Sequence, residues 1–244
     1  MFKLKGVVEY AMEVPKAEKN ATPFVTYSIL ALTFLVQSYM LVIPDMDALV
    51  VFESYSLIPV YLFQLRQLDT IVTYMFLHGN FVHMIVNSIA LLGAGFMVER
   101  EIGHTRFLVT FIASGVIAGV VHCLLNSESG IPLVGSSGAV FGIIALMFLL
   151  MPFKLTYTLV VPLPSVIVGL MLTLVEIFAV WFSTDSGIAH DVHIIGFLVG
   201  GFSAFVIDQK KALRGLFIAV IVLLALYYIA TYFNLMPSPV IPQV

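Results

Sequence analysis

Long apolar runs separated by short polar connections dominate the pattern of this chain. A helix needs about 20 largely apolar residues to cross a bilayer, and seven runs approach or exceed that length. They cover residues 24–43, 71–98, 107–123, 137–151, 155–182, 192–207 and 215–235. None of them contains a lysine or an arginine. The pattern therefore predicts an all-α, polytopic transmembrane helix bundle.

The basic residues predict the orientation of these spans. Lysine and arginine total 11, and all except Arg66 fall in connections on one side of the membrane if successive spans alternate in direction. Because cytoplasmic connections carry an excess of basic residues, we expect a cytoplasmic N-terminus and an outer C-terminus. The membrane is expected to be a prokaryotic cell membrane. The connection 44–70 is unusually apolar, so we expect it to lie in the membrane interface, partly as amphipathic helix. A flexible outer loop is the alternative.

Composition disfavours the common soluble classes. Of the 244 residues, 61% are hydrophobic and 10% are charged, against roughly 45–50% and about 25% in soluble domains. The mean hydropathy is +1.08. A soluble enzyme, a disordered chain and a nucleic-acid-binding protein are therefore disfavoured, and the lipid bilayer is the expected surroundings. The single cysteine, Cys123, permits neither an intramolecular disulfide nor a cysteine metal cluster.

A serine pair between glycines opens the fourth run. In Gly135-Ser136-Ser137-Gly138, Ser137 falls in the first helical turn, where free backbone N–H groups and the positive helix end can stabilise an oxyanion. The alternative is a capping serine followed by a small-residue packing face. Because the run 137–151 is short, we expect Ser137 to lie below the outer surface in a water-filled pocket.

His193 lies at the start of the sixth run, which we expect to be at the same depth in the membrane as Ser137. Gly196 and Gly200 follow His193 at a spacing that lets two helix backbones approach closely. Close approach to the glycine face of the fourth run would bring His193 next to Ser137, where a neutral imidazole could take the serine proton. A histidine satisfied by a backbone carbonyl is the alternative.

The second run contributes further polar groups. His83 and Asn87 share one helix face, and they could complete an oxyanion hole or simply hydrogen-bond between helices. A metal site would need three or four ligands with set spacing. Four histidines could in principle supply it: His78, His83, His190 and His193. The chain has no H-E-x-x-H motif and no carboxylate near His83 in sequence, so we expect no metal.

The carboxylate Glu176 lies alone within the fifth run, where it must be protonated or paired. A structural hydrogen bond, a gate latch and a proton-coupling group all remain open for it. No third acid is expected beside the histidine, because Asp191 precedes His193 by two positions and so points elsewhere. A serine–lysine dyad is excluded, because Lys154 lies at the opposite end of the fourth run from Ser137.

Taken in order, these motifs resemble those of the rhomboid family of intramembrane serine proteases. The matching pieces are His78-x4-His83-x3-Asn87, Gly95-x3-Glu99 with Gly103, Gly135-Ser136-Ser137-Gly138 and His193-x2-Gly196-x3-Gly200. Each motif is weak by itself, but the four in this order are highly specific. The resemblance covers residues 24 to 207.

The resemblance implies a six-helix catalytic core with a serine–histidine dyad and no acid, plus one C-terminal helix. Ser137 would be the nucleophile and His193 the general base. His83, Asn87 and the backbone N–H of Ser137 would form the oxyanion hole. Supporting positions would be His78, Phe141, Gly135 and Gly138, with Phe141 packed against the dyad histidine. The substrates would be transmembrane proteins, and no cofactor is expected.

The same resemblance divides the chain into three parts. Residues 1–22 form a cytoplasmic segment, 23–208 the catalytic core, and 209–244 a linker with the seventh helix. Two other functions remain open. A rhomboid-like protein that binds membrane clients without catalysis would share the fold but usually lacks the serine or the histidine. A histidine-lined metal or proton transporter would also place such groups in the membrane.

Overall fold

The helices of the chain form a bundle around one short central helix. The computed structural model describes residues 21–159, 161–182 and 187–233. In chain order the elements are α1 (Phe24–Val42), α2 (Asp45–Tyr55), α3 (Pro59–Phe63), α4 (Thr70–Thr73), a 3-10 turn (Tyr74–Phe76), α5 (Phe81–Ile102), α6 (His104–Leu125), α7 (Ser137–Leu150), β1 (Leu155–Leu159), β2 (Val161–Pro164), α8 (Ser165–Phe182), α9 (His190–Ile207) and α10 (Gln209–Tyr232).

Six helices in the described part of the chain are long and apolar enough to cross a membrane. They are α1, α5, α6, α8, α9 and α10. The chain is therefore a multi-pass integral membrane protein with an all-α bundle, as the hydropathy pattern predicts. The predicted segment 1–22 falls almost entirely outside the described residues, as does the end of the last predicted run at 235.

Helix α7 lies at the centre of the bundle. Its 14 residues include 12 that are buried, and it contacts α5, α6, α8, α9 and α10. A helix of 14 residues rises only about 21 Å, whereas the hydrocarbon layer is about 30 Å thick. Helix α7 is therefore too short to cross the hydrocarbon layer by itself.

Glycines set how closely α9 and α10 approach α7. A Cβ atom on Gly196 of α9 would overlap the carbonyl oxygen of Gly138, and one on Gly200 would overlap that of Gly142. On the α10 side, a Cβ atom on Gly215 would overlap the Leu149 carbonyl oxygen. The predicted small-residue packing face on α7 is confirmed, and it fixes the register of α9 against α7.

The second predicted span, 71–98, is wrong at both ends. Its first residues form α4 and the 3-10 turn, and α5 begins only at Phe81. The reason is local, because Asn80 caps α5 by accepting the backbone N–H of His83 at 2.8 Å. His78 therefore lies in the connection before α5 and not on the helix. At the other end α5 continues to Ile102, because the charged residue Glu99 is buried within the protein.

The fifth predicted span, 155–182, is wrong in its first part. Residues 155–159 and 161–164 form two antiparallel strands, with Leu155 paired to Pro164 and Thr156 to Leu163. Proline and β-branched residues disfavour helix in this segment. The hairpin packs on α5, where the Thr156 hydroxyl donates to the Gly93 carbonyl at 3.0 Å. Helix α8 begins after it, at Ser165.

The connection between α1 and α4 is partly helical, as predicted, through α2 and α3. Leu57 and Ile58 between these helices are buried. Leu57 exchanges backbone hydrogen bonds with Leu133 at 3.0 and 2.9 Å. Part of the apolar content of this connection therefore packs inside the protein, next to the segment that leads into α7.

A buried carboxylate joins α1 to the end of α5 and the start of α6. Glu99 accepts the backbone N–H groups of Val25 and Thr26, both at 2.7 Å, and the Thr26 hydroxyl at 2.6 Å. It also contacts Nδ1 of His104 at the start of α6. Gly103, with φ of 84°, makes the turn between α5 and α6. The acid thus satisfies the free N–H groups at the start of α1.

Candidate active site

The segment that leads into α7 places Ser137 at the first helical position. Ser136 is the N-cap residue, yet its side chain makes no capping hydrogen bond. Gly135 has a φ of 112° and donates its N–H to the Tyr74 carbonyl at 3.0 Å. Ser137 is half-buried. The first-turn N–H groups of α7 are thus not occupied by the Ser136 hydroxyl, which argues against the capping alternative.

His83 of α5 lies against this segment. A Cβ atom on Gly135 would lie 2.8 Å from Cε1 of the His83 ring, so a side chain at 135 would displace the ring. The His83 ring meets His78 edge-on, with ring centroids 5.0 Å apart. The structure therefore brings His78, His83 and Gly135 together, two residues before Ser137, as the resemblance implies.

Asn87 lies one turn below His83 on α5. It is 6% exposed, and its side-chain amide donates to the His83 carbonyl at 3.0 Å within the same helix. This hydrogen bond lies within α5. The structure therefore does not show the alternative, in which Asn87 hydrogen-bonds to another helix. An amide nitrogen carries two hydrogens, and one of them remains for another acceptor.

His193 lies against the face of α7 that begins at Ser137. Its ring stacks on Phe141, with centroids 4.4 Å apart and planes 6° from parallel. Phe141 is four positions after Ser137, so the two residues share one helix face. The glycine contacts described above hold α9 in the register that this stacking requires. The His193 side chain is 14% exposed.

Glu176 of α8 completes a cluster that sequence reasoning missed. Its Oε2 accepts a hydrogen bond from Nδ1 of His190 at 2.7 Å, and its Oε1 lies 3.0 Å from Nδ1 of His193. The His193 contact is within ion-pair distance, but the ring nitrogen does not make a hydrogen bond of normal geometry. The prediction that Glu176 is paired is thus confirmed, whereas the expectation that no acid lies beside the histidine is wrong, because α8 brings this carboxylate to 3.0 Å from His193. The signal available in the sequence was one mid-span carboxylate together with two histidines one turn apart.

Asp191 points away from this cluster, as predicted from its position. It contacts Nδ1 of His122 on α6 at 2.7 Å, and Asn126 donates to the His122 carbonyl at 2.9 Å. This pair ties the start of α9 to the end of α6. The two acids therefore contact different histidines: Asp191 contacts His122, and Glu176 contacts His190 and His193.

Burial keeps His78 neutral. The residue is 4% exposed, and burial together with the neighbouring His83 lowers the pKa of its imidazole to about 4. At neutral pH the ring can donate from one nitrogen and accept at the other. Its position in the connection before α5 makes it a support for the His83 ring.

Comparisons with known proteins match the region of the chain that holds this site. The family model described as the Rhomboid domain matches residues 65–210. RHOMBOID-like protein 5 and RHOMBOID-like protein 4 of Arabidopsis thaliana are 31% and 35% identical to the chain over 56% and 54% of its length. Rhomboid protease GluP of Bacillus subtilis is 29% identical over 58%.

These matches extend over less than half of each of the three relatives. They cover 43% of RHOMBOID-like protein 5, 32% of RHOMBOID-like protein 4 and 26% of GluP. The relatives come from a plant and a bacterium, so they do not favour the expected prokaryotic source. The matched residues include α5 to α9 and hence every residue of the candidate site.

Proposed function

Because this chain belongs to the rhomboid family, we propose that it is a serine-type intramembrane endopeptidase. It cleaves transmembrane segments of membrane proteins near the outer face, with Ser137 as nucleophile and His193 as general base. The observation that carries the proposal is the stacking of His193 on Phe141, one helical turn from Ser137, at 4.4 Å. The glycine contact between α7 and α9 supports it, because that contact holds the two helices in this register.

The reaction begins when a substrate helix unwinds and presents a peptide carbonyl to Ser137. Nε2 of His193 takes the hydroxyl proton as the serine oxygen attacks the carbonyl carbon. Collapse of the tetrahedral intermediate breaks the C–N bond, and the imidazolium of His193 gives its proton to the leaving amine. Water, deprotonated by the same imidazole, then hydrolyses the acyl-enzyme and restores Ser137.

The oxyanion of the tetrahedral intermediate is stabilised at the start of α7. The backbone N–H of Ser137 lies at a helix N-terminus, where it has no acceptor within the helix. His83 and the remaining hydrogen of the Asn87 amide supply two further donors from α5. The partners of the enzyme are membrane proteins with transmembrane segments, and the dyad requires neither metal nor organic cofactor.

The topology follows from the charge pattern. With the N-terminus in the cytoplasm, the start of α7 and the start of α9 both face the outer side. We therefore place the scissile bond of the substrate toward that side. Residues 23–208 are the catalytic core, and α10 is an additional helix that packs on α7 through Gly215.

A serine-directed label tests the nucleophile. The full chain in detergent is treated with a fluorophosphonate, beside Ser137→Ala and the matched control Ser136→Ala, and cleavage of a transmembrane substrate is followed in parallel. We expect labelling and cleavage in the wild type and in Ser136→Ala, and neither in Ser137→Ala.

Two results would contradict the proposal. One is labelling that survives Ser137→Ala, which would place the reactive serine elsewhere. The other is a folded wild type that is not labelled and does not cleave, which would favour a rhomboid-like protein that binds clients without catalysis.

A further inference from the structure

Three potential metal ligands from two helices meet beside the proposed base. Glu176 of α8 and His190 and His193 of α9 each offer one ligand atom, and these atoms lie within 4.8 Å of one another. The group is largely enclosed, because the three side chains are 10%, 15% and 14% exposed. Nothing in the serine–histidine mechanism uses His190 or needs this convergence.

Hydrogen bonds satisfy only some of the ring nitrogens in this cluster. Nδ1 of His190 bonds to Glu176 at 2.7 Å. Nδ1 of His193 is buried and lacks a hydrogen bond of normal geometry, although a carboxylate oxygen lies 3.0 Å away. A buried ring nitrogen without a well-aligned partner is costly. A cation that binds the nitrogen lone pair and the carboxylate together would satisfy it.

We propose that Glu176, His190 and His193 form a binding site for a divalent ion of the zinc class. Two imidazole nitrogens and one carboxylate oxygen are a donor set that zinc uses where its fourth position stays open. Ligand atoms around a tetrahedral zinc lie about 3.3 Å apart, from metal–ligand distances of about 2.0–2.1 Å. The present contacts of 2.7 and 3.0 Å involve the two different oxygens of the carboxylate, so a shared zinc requires these atoms to move apart by about 0.3–0.6 Å.

The charges of the cluster also suit a cation. The carboxylate supplies one negative charge and the two imidazoles bind as neutral ligands, so a divalent ion is half neutralised within the protein.

An ion at this site would stop catalysis through the tautomer of His193. A neutral imidazole carries one proton, and a general base that acts through Nε2 must hold that proton on Nδ1. A metal bound to Nδ1 takes the lone pair there and leaves the proton on Nε2, which can then no longer accept the Ser137 proton. The ion is therefore a reversible inhibitor. The inhibition rests on the proposed protease function, whereas the binding does not.

Metal binding is measured first, without reference to activity. The full chain carrying Ser137→Ala is purified through a tag without histidine and titrated in detergent with Co²⁺, followed by its visible absorption, and then with Zn²⁺ in competition. Glu176→Gln and His190→Gln are introduced separately into the same background. His122→Gln is the matched control, because His122 also contacts a carboxylate at 2.7 Å but lies outside the cluster.

We expect one ion per chain and binding that weakens by at least about 10- to 100-fold in Glu176→Gln and in His190→Gln, since even outer-shell changes cost that much. His122→Gln should bind as the parent does. A second control, His78→Gln, tests the only other pair of neighbouring histidines at the site. Size-exclusion chromatography of each variant establishes that it is folded before titration.

Inhibition is measured next on the chain with Ser137 intact. Zn²⁺ should inhibit cleavage and a chelator should restore it. In His190→Gln the Zn²⁺ concentration for half-inhibition, relative to the metal-free rate of that variant, should rise at least about tenfold.

Four results separate the outcomes. Absence of saturable binding, or binding that is as tight in Glu176→Gln and His190→Gln as in the parent protein, would overturn the site. Binding that depends on the cluster but leaves cleavage unaffected would overturn the assignment of His193 as a ligand. Binding that depends on the cluster in a protein without serine-dependent cleavage would support the metal site and contradict the proposed protease.

Discussion

Single side chains at the start of α7 are held by unusually close contacts. Gly135 has no side chain, and this lets the His83 ring lie where a Cβ atom would be 2.8 Å away. Phe141 supports His193 by stacking rather than by a hydrogen bond. Both imidazoles are therefore positioned by shape, which restricts their rotamers without using the nitrogens that chemistry needs.

The contribution of Asn87 to the oxyanion hole can be measured against a matched asparagine. Asn87→Ala should lower kcat by about 10²- to 10³-fold with little change in KM, because a lost oxyanion donor acts mainly in the transition state. Asn126 makes the same bond to the carbonyl four residues earlier, at 2.9 Å, but it is exposed and directly follows α6. Asn126→Ala should retain kcat, and an equal loss in both variants would rule out the role assigned to Asn87.

Whether a glycine between two helices can be replaced by alanine depends on whether a backbone carbonyl of the neighbouring helix lies against it. On α9 the adjacent residues Gly200 and Gly201 differ in this respect. A Cβ atom on Gly200 would overlap the Gly142 carbonyl oxygen, whereas one on Gly201 would meet only the Leu149 side chain at 3.8 Å. The pair isolates the contact between α7 and α9 from the intrinsic effect of glycine in a helix.

Gly200→Ala should destabilise the protein by about 1–3 kcal/mol, as overpacking of a close contact does. It should also lower activity, because α9 carries His193. Gly201→Ala should be neutral or stabilise by about 0.5–1 kcal/mol, since alanine favours helix over glycine. Thermal unfolding in detergent and substrate cleavage measure both. Equal unfolding midpoints for the two variants would contradict the close backbone contact.

Elements also differ in how they are joined to the bundle. Glu99 satisfies the start of α1 from the C-terminal end of α5, and the hairpin of β1 and β2 packs on α5 through Gly93. Helix α5 thus joins α1 and the hairpin to the bundle, while α7 lies at its centre. The candidate site lies where the N-terminal ends of α5, α7 and α9 meet.

The stability of the whole molecule should depend on pH through His78. Its pKa is about 4 in the folded protein, below the ordinary value of 6.5, so between these pH values the unfolded chain binds a proton that the folded chain does not. Folding is therefore weakened as the pH falls from about 6.5 to 4. Between pH 7.5 and pH 5 this group accounts for a loss of about 2 kcal/mol.

Unfolding midpoints at pH 7.5 and pH 5, measured for wild type and His78→Gln, test this prediction. The midpoint of the variant should fall less between the two pH values than that of the wild type, whatever its absolute stability at pH 7.5. An equal fall in both proteins would show that His78 does not carry this part of the pH dependence.

The membrane class, the all-α bundle and the motifs of the site follow from the sequence by itself. Apolar runs of sufficient length have no other stable location than a bilayer, and glycines at a four-residue spacing predict a close helix contact wherever it forms. The order of the motifs was also enough to predict the rhomboid family. These features depend only on composition and on the spacing of residues that are close together in the sequence.

The tertiary structure alone decided the boundaries within two runs and the neighbours of His193. An apolar run has the same hydropathy whether it forms one helix or two strands followed by a helix, so residues 155–159 and 161–164 were misassigned. Glu176 and His193 lie on different helices, and the distance between them depends on the rotation of α8 against α9. That rotation is set by packing across the whole bundle, so no local sequence pattern predicts it.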